Sequence, residues 1–136
     1  MKRSVLVVDD DRGVREMLAD ALCCCGYEAQ TVANGLEALA EVMRDAPDSV
    51  VLDMHRPSVG GLAFAHGLRD LGMRVPILVV SSTGEAHRWA DVIGAEGYLN
   101  KPFDLTQLLS HVDRLCRTGV RAGLSLVPMQ STADRD

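Results

Sequence analysis

Two short apolar runs that end in aspartate decide the fold: Val5-Leu6-Val7-Val8-Asp9-Asp10 and Ser49-Val50-Val51-Leu52-Asp53. Continuous runs of this length and composition are typical of strands that are buried in a parallel sheet. If the two strands are neighbours, three carboxylates converge at one edge of the sheet. Clustered like charges disfavour one another's ionised form unless a cation or protons intervene. Mg²⁺ is the expected cation, since it takes oxygen ligands and commonly shares them with phosphate.

Short β-branched runs alternate with amphipathic stretches along the chain, which predicts a parallel sheet with helices on both faces. We expect strands at residues 4–9, 28–32, 49–53, 76–81 and 97–99. Hydrophobic spacing and glycine signals predict helices from about Val14 to Cys25, at 35–45, 61–71 and 84–94, and from Leu105 to Leu115. The sequence thus favours an α/β protein with a doubly wound, five-stranded parallel sheet of order 2-1-3-4-5 and five helices.

The bulk properties fit one domain and exclude several classes of protein. The chain has 136 residues and a formal charge of −5, which argues against direct binding of nucleic acid through a basic face. Its apolar runs are too short for a signal peptide or a membrane span. The four cysteines lack zinc-site spacing, so we expect packing roles and the reducing cytoplasm.

The helical pattern dissolves after about Arg117. We therefore expect residues 1–117 to form the domain and residues 118–136 to form a flexible tail. An alternative is that Leu124 to Val127 dock on a surface of the domain.

Five polar residues are expected at one rim of this sheet. Ligands of doubly wound sheets lie beyond the carboxyl ends of the strands, where the strand order reverses. For the order 2-1-3-4-5, that point lies between the first strand, which ends at Asp9 and Asp10, and the third, which ends at Asp53. Ser81 ends the fourth strand and Lys101 follows the fifth.

Each of these residues has a plausible part in forming an acyl phosphate. The Asp53 carboxylate would be the nucleophile, since aspartate can form a covalent aspartyl phosphate. Asp9 and Asp10 would hold Mg²⁺, which neutralises charge on a phosphoryl group. The Lys101 ammonium and the Ser81 hydroxyl would donate hydrogen bonds to phosphoryl oxygens.

Structural roles compete with these functional ones. Asp9, Asp10 and Asp11 could cap the following helix, but a cap needs only one carboxylate, and Asp11 is the expected cap. Trp89 has apolar neighbours at helical spacing, so packing within the fourth helix is favoured over an exposed anchor for a partner.

The chain resembles the receiver domain of bacterial two-component response regulators over about residues 3–116. The resemblance depends on six fragments in this order and spacing: Val7-Val8-Asp9-Asp10-Asp11, Val51-Leu52-Asp53, Pro57, Gly61, Val80-Ser81 and Gly97-Tyr98-Leu99-Asn100-Lys101-Pro102-Phe103. It implies a flavodoxin-like fold and transfer of a phosphoryl group to Asp53 from a sensor histidine kinase or phosphotransfer protein. It also implies Mg²⁺ bound by Asp9, Asp10, Asp53 and the backbone carbonyl of His55.

The resemblance further implies a switch and a set of partners. Ser81 and Tyr98 would move on activation and reshape a protein-interaction face made by helix four, strand five and helix five. The Lys101–Pro102 bond is expected to be cis. The implied partners are a downstream protein target and a second copy in a phosphorylation-dependent homodimer, with no membrane contact. Catalysis would be limited to the protein's own phosphorylation and dephosphorylation.

The loop after Asp53 departs from the family pattern. Where relatives commonly have Met-Pro and Met-Asp-Gly, this chain has Arg56-Pro57 and Val59-Gly60-Gly61, so an acidic residue is missing beside the phosphorylation site. We expect this change to affect loop geometry and the lifetime of the phosphoryl group more than the chemistry.

Two other functions compete with the phosphorylated receiver. A receiver-like scaffold could keep the fold and bind partners without phosphorylation, although the complete set of acids and Lys101 favours the first hypothesis. A Mg²⁺-dependent phosphatase of the haloacid-dehalogenase type would need an Asp-x-Asp pattern with Thr or Val beyond it, which Asp9-Asp10-Asp11-Arg12-Gly13 lacks. Nucleotide binding is disfavoured, since no glycine-rich loop follows the first strand.

Overall fold

The structure, a computed structural model, describes residues 2–54 and 59–125. Within these residues the strands are β1 (Ser4–Val8), β2 (Glu28–Val32), β3 (Ser49–Asp53), β4 (Ile77–Ser81) and β5 (Gly97–Asn100). The helices are α1 (Arg12–Cys24), α2 (Gly35–Arg44), α3 (Val59–Asp70), α4 (Ala86–Ile93) and α5 (Leu105–Ser125). The strands are parallel and have the order β2-β1-β3-β4-β5, which confirms the predicted architecture.

Apolar side chains are buried on both faces of the sheet. One face includes Leu6, Val8, Val50 and Leu52, which pack with buried residues of α2, α3 and α4. The opposite face includes Val5, Val7 and Val51, which pack with buried residues of α1 and α5. Alternate strand residues point to opposite faces, so a central strand covered on both sides needs apolar residues throughout. This requirement explains the continuous apolar runs that end in the aspartates.

Helix boundaries follow from local capping. The Asp11 side chain accepts a hydrogen bond from the Val14 N–H over 3.1 Å, which confirms Asp11 as the cap of α1. The cap of α4 is more distant, since Asn100 Oδ1 at the end of β5 accepts a hydrogen bond from the Ala86 N–H over 3.0 Å. Helix α4 begins at Ala86 instead of the predicted residue 84, because Gly84 has a φ of 82° and cannot join a right-handed helix.

Trp89 and α5 show two further outcomes. Trp89 is partly buried against the cluster beneath α4, as the packing hypothesis predicted. Helix α5 continues to Ser125, beyond the predicted end of the helix at Leu115, and the domain boundary at residue 117 stays a prediction. The rest of the predicted tail, residues 126–136, lies outside the described residues. None of the described helices combines the length and apolar character needed to cross a membrane.

Candidate functional site

The candidate site lies at the carboxyl ends of four strands. Asp9 follows β1, Asp53 ends β3, Ser81 ends β4, and Lys101 follows β5. The register across these strand ends pairs Val8 with Leu52, Asp53 with Val80, and Ser81 with Asn100. The sheet therefore brings the four residues to one rim.

Asp53 and Lys101 form the central contact of the site. The Lys101 ammonium donates a hydrogen bond to Asp53 Oδ2. The Asp53 side chain is 1% exposed and that of Lys101 is 22% exposed. The backbone holds Lys101 in place, since its N–H donates to the Ser81 carbonyl over 2.8 Å, and the Lys101–Pro102 bond is cis, as expected. A cation and the candidate nucleophile thus meet in a nearly dry environment, where a charged hydrogen bond is stronger than in water.

Asp9 is a second buried acid beside this pair. Its Oδ2 lies 3.9 Å from Lys101 Nζ, and its Oδ1 accepts a hydrogen bond from the Asp11 N–H over 2.9 Å. Burial, together with a hydrogen bond to Asp53 and the charge of that residue, raises the pKa of Asp9 to about 6. The Asp11 N–H and Lys101 act in the opposite direction. Carboxylates crowded in this way favour a bound cation or proton.

A cavity of about 210 Å³ opens beside these acids. Asp9, Asp10 and Asp53 line it together with residues at the starts of α2 and α3. Asp10 is exposed, whereas Asp9 is buried, so the cavity connects the acids to solvent. Oxygen donors around a space of this kind suit Mg²⁺, which retains several waters when it binds to protein carboxylates.

The oxygen donors at the site suit Mg²⁺, but their arrangement is not that of a formed metal site. Within residues 2–54 and 59–125, no three Asp, Glu, His or Cys side chains stand in an arrangement ready to hold a metal ion. A physical reason is that Asp53 is already in contact with the Lys101 ammonium. The fourth predicted ligand, the backbone carbonyl of His55, lies outside the described residues. The donor types therefore fit Mg²⁺, and the coordination itself stays a prediction.

The two predicted switch residues occupy different environments. Ser81 is fully buried, and its Oγ lies 2.8 Å from Thr83 Oγ1 and accepts a hydrogen bond from the Thr83 N–H over 3.2 Å. Tyr98 on β5 is 50% exposed, and its ring centroid lies 6.0 Å from that of His87. The Ser81 hydroxyl is thus engaged by Thr83, and the Tyr98 ring lies on the surface beside α4.

Two contacts near the site were missed from the sequence. Arg15 donates from Nη1 to the Asp9 carbonyl over 3.2 Å, which adds a second cation close to the acids. The bond between the Ser81 and Thr83 hydroxyls was not foreseen either. Helical spacing puts Arg15 one turn after the Asp11 cap, so its position near the rim could have been predicted. The pairing of Ser81 with Thr83 could not, because it depends on side-chain rotamers.

Comparison with known proteins gives the family. A family model described as the response regulator receiver domain matches residues 5–113. Response regulator MprA of Mycobacterium leprae is 43% identical over 116 residues, which cover 83% of this chain and 50% of the relative. MprA of Mycobacterium ulcerans is 42% identical over 120 residues, which cover 86% of this chain and 51% of the relative. The chain spans about half the length of these curated relatives.

Solved structures agree with this result. The chemotaxis response regulator CheY4 of Vibrio cholerae superposes with a TM-score of 0.74 at 32% identity, covering 85% of this chain and 99% of that protein. NtrX from Brucella abortus superposes with a TM-score of 0.78 at 29% identity, covering 92% of this chain and 29% of that protein. The superposition with CheY4 agrees with the flavodoxin-like sheet order of this chain. By sequence and by fold, the chain belongs to the response regulator receiver domain family.

Proposed function

We propose that this chain accepts a phosphoryl group on Asp53, from a sensor histidine kinase or a phosphotransfer protein, in a Mg²⁺-dependent reaction. Response regulators receive phosphate from histidine kinases. The observation that carries the proposal is the contact of the Lys101 ammonium with the buried Asp53 carboxylate, beside a cavity that Asp9 and Asp10 also line.

The proposed reaction is a transfer between two nucleophiles. One Asp53 oxygen attacks phosphorus, an O–P bond forms, and the P–N bond to the donor imidazole breaks with its electron pair left on nitrogen. Asp9, Asp10, Asp53 and the His55 carbonyl would hold Mg²⁺, which when bound neutralises charge on the phosphoryl oxygens. Receiver domains are generally not enzymes for other substrates, and we propose that this one catalyses only its own phosphorylation and dephosphorylation.

Two of the chain's own donors would hold the new phosphoryl group. Lys101 would pass from the Asp53 carboxylate to a phosphoryl oxygen, and Ser81 would exchange its bond to Thr83 for another. Hydrogen bonds to charged groups contribute roughly 1.5 to 3 kcal/mol each. Two such bonds contribute about 3 to 6 kcal/mol, but each replaces an existing contact. We therefore expect the net gain to fall below about 5.5 kcal/mol, the value needed for a shift from 1:99 to 99:1, and the change of population to be partial.

The proposed output is a protein contact through the face formed by α4, β5 and α5. Tyr98 supports this part of the proposal, since it is half exposed on β5 and contacts His87 of α4. Gln107, His111 and Arg114 of α5 line a groove together with Tyr98. We include a downstream protein target and a phosphorylation-dependent homodimer as partners, with no direct nucleic-acid or membrane contact. The proposed location is the cytoplasm, whose reducing environment suits the four free cysteines.

Phosphorylation with a small donor tests the proposal without knowledge of the kinase. The purified protein is incubated with acetyl phosphate and Mg²⁺, and its intact mass is measured. We expect a gain of one phosphoryl group, no gain for Asp53→Asn, and a normal gain for Asp20→Asn, whose aspartate is exposed on α1. EDTA should suppress the gain in the wild type and in Asp20→Asn.

Either of two results would contradict the proposal. One is an unchanged mass for folded wild-type protein under conditions that phosphorylate a control receiver domain. The other is an equal gain for Asp53→Asn. The first result would leave the phosphorylation-independent scaffold as the better description of this chain.

A further inference from the structure

Gly35 and Gly60 make an unusually close backbone contact at the edge of the acidic cavity. A Cβ atom built on Gly35, the first residue of α2, would lie 1.9 Å from the Gly60 carbonyl oxygen and 2.5 Å from its carbonyl carbon. Ordinary van der Waals contacts of a Cβ begin at 3.4 Å. The start of α3 therefore packs directly on the backbone of α2, and any side chain at position 35 would have to push one helix about 1.5 Å from the other.

The start of α2 is the less movable partner in this contact. The Asn34 side chain accepts a hydrogen bond from the Glu37 N–H over 2.9 Å, and the Glu37 side chain accepts one from the Ala33 N–H over 3.1 Å. The first bond is that of a capping box, and the second holds the N–H of the residue before the cap, so together they fix the entry of the chain into the helix. Ala38 and Val42 of the same helix are fully buried in the core. A side chain at position 35 should therefore displace the first turn of α3.

The first turn of α3 forms one wall of the site. Gly60 and Gly61 line the 210 Å³ cavity together with Asp9, Asp10 and Asp53. Gly61 is buried, so this wall consists of backbone, with no side chain between it and the acids at position 60 or 61. A displacement of Gly60 changes the width of the cavity in which the Asp53 carboxylate would meet its phosphodonor.

We propose that Gly35 is a positioning residue for phosphorylation: its missing side chain lets α2 set the first turn of α3 at the distance from Asp53 that the reaction requires. The inference depends on the proposed function, since it concerns the rate of that reaction. It goes beyond the acidic residues and Lys101, because Gly35 brings no side chain to the cavity that it lines with Asp53, and the three atoms nearest to a Cβ at this position are backbone atoms of Gly60.

The test compares Gly35→Ala with Gly67→Ala. Both glycines lie in helices, but the three atoms nearest to a Cβ at Gly67 all belong to the Leu39 side chain, at 2.6, 3.1 and 3.4 Å, and this flexible side chain can turn away. The maximal rate constant for phosphorylation is measured at saturating acetyl phosphate and Mg²⁺, and is corrected for the folded fraction from circular dichroism. We expect a fall on the order of tenfold or more for Gly35→Ala, because a misplacement near 1 Å can cost about a hundredfold. The rate for Gly67→Ala should match the wild type.

Amide NMR spectra give a second readout that does not need phosphorylation. In Gly35→Ala, the amide resonances of Gly60, Gly61 and Asp53 should shift, while those of α5 stay in place. Unmoved Gly60 and Gly61 resonances, or a corrected rate equal to the wild type, would overturn the inference. If wild-type protein is not phosphorylated at all, the proposed function fails first, and the spectra still decide whether Gly35 sets the position of α3.

Discussion

Replacing Lys101 with Met should destabilise the folded protein, because the buried carboxylates of Asp9 and Asp53 would lose their neighbouring cation. The substitution keeps an apolar stem of similar length and removes the ammonium that contacts Asp53 and lies 3.9 Å from Asp9. Both aspartate side chains are at most 1% exposed, so their charges would lose this neighbour in a dry environment. Breaking a buried ion pair from one side typically costs about 3 to 5 kcal/mol. Because Lys101 is 22% exposed and the acids can take up a proton, we expect about 2 to 3 kcal/mol at pH 7.5.

A double-mutant cycle separates the contact with Asp53 from other effects. In an Asp53→Asn background Asp9, 3.9 Å away, is the negative neighbour that remains of the two, so adding Lys101→Met should cost only about 0 to 1 kcal/mol. The coupling energy between the two positions should then be about 2 kcal/mol, within the range for residues in direct contact. The free energy of unfolding is measured by urea titration in EDTA, which keeps divalent metal out of the comparison.

An ion pair on the protein surface supplies the matched control for Lys101→Met. Additive effects of Lys101→Met and Asp53→Asn on the free energy of unfolding would refute the reasoning. Arg88 and Glu85 also form a pair, at 3.4 Å, but their side chains are 66% and 44% exposed. Arg88→Met should therefore change the free energy of unfolding by less than about 1 kcal/mol. If the effects of Lys101→Met and Asp53→Asn add within about 0.5 kcal/mol, the two side chains are not coupled in solution and the described contact is wrong.

Three further predictions concern residues near the site and Tyr27, which lies between α1 and β2. Asn100→Ala should lower stability by about 1 kcal/mol through loss of the α4 cap, whereas Asn100→Asp, which keeps the oxygen, should lose less; urea titration measures both. Burial and the charge of Asp113 raise the pKa of Tyr27 to about 12. In a Tyr98→Phe background, ultraviolet absorbance should therefore detect tyrosinate at a higher pH in the folded protein than in the urea-unfolded protein. Asp113→Asn should reduce this difference in pH. Since the phenol keeps its proton to higher pH when folded, its contribution to stability is complete below about pH 10 and is lost as the pH rises through about 12. Mg²⁺ at ten times its Kd should stabilise the wild type by about 1.4 kcal/mol in thermal unfolding, and the same concentration should stabilise Asp10→Asn less.

Most of the sheet was predictable because its strands are buried on both faces. Runs such as Val5–Val8 and Val50–Leu52 are apolar at every position, which is the pattern of a short strand covered by helices on both faces. The edge strand β2 is harder to predict from hydrophobicity, since three of its five residues are exposed. Its position in the sequence between two predicted helices nevertheless indicated a strand. The end of α5 was missed because residues 118–125 contain two glycines and no apolar periodicity strong enough to extend the helix.

The predictable part of the site is the part set by strand ends. Asp53 and Lys101 converge because each lies at the carboxyl end of a strand, a property that follows from topology alone. The Gly35–Gly60 contact was not predictable, since it joins two helix starts that are distant in sequence and involves no side chain. The capping of α4 by Asn100 was not predicted for a similar reason, since the donor and the acceptor of that hydrogen bond belong to different elements.

The most direct test of the central claim is the location of the phosphoryl group. Protein phosphorylated with acetyl phosphate and Mg²⁺ is treated with borohydride, which reduces an aspartyl phosphate to homoserine with loss of phosphate, and the peptides are then sequenced by mass spectrometry. We predict homoserine at position 53 and unmodified aspartate at positions 9 and 10. Homoserine at any other position, with residue 53 still aspartate, would contradict the account.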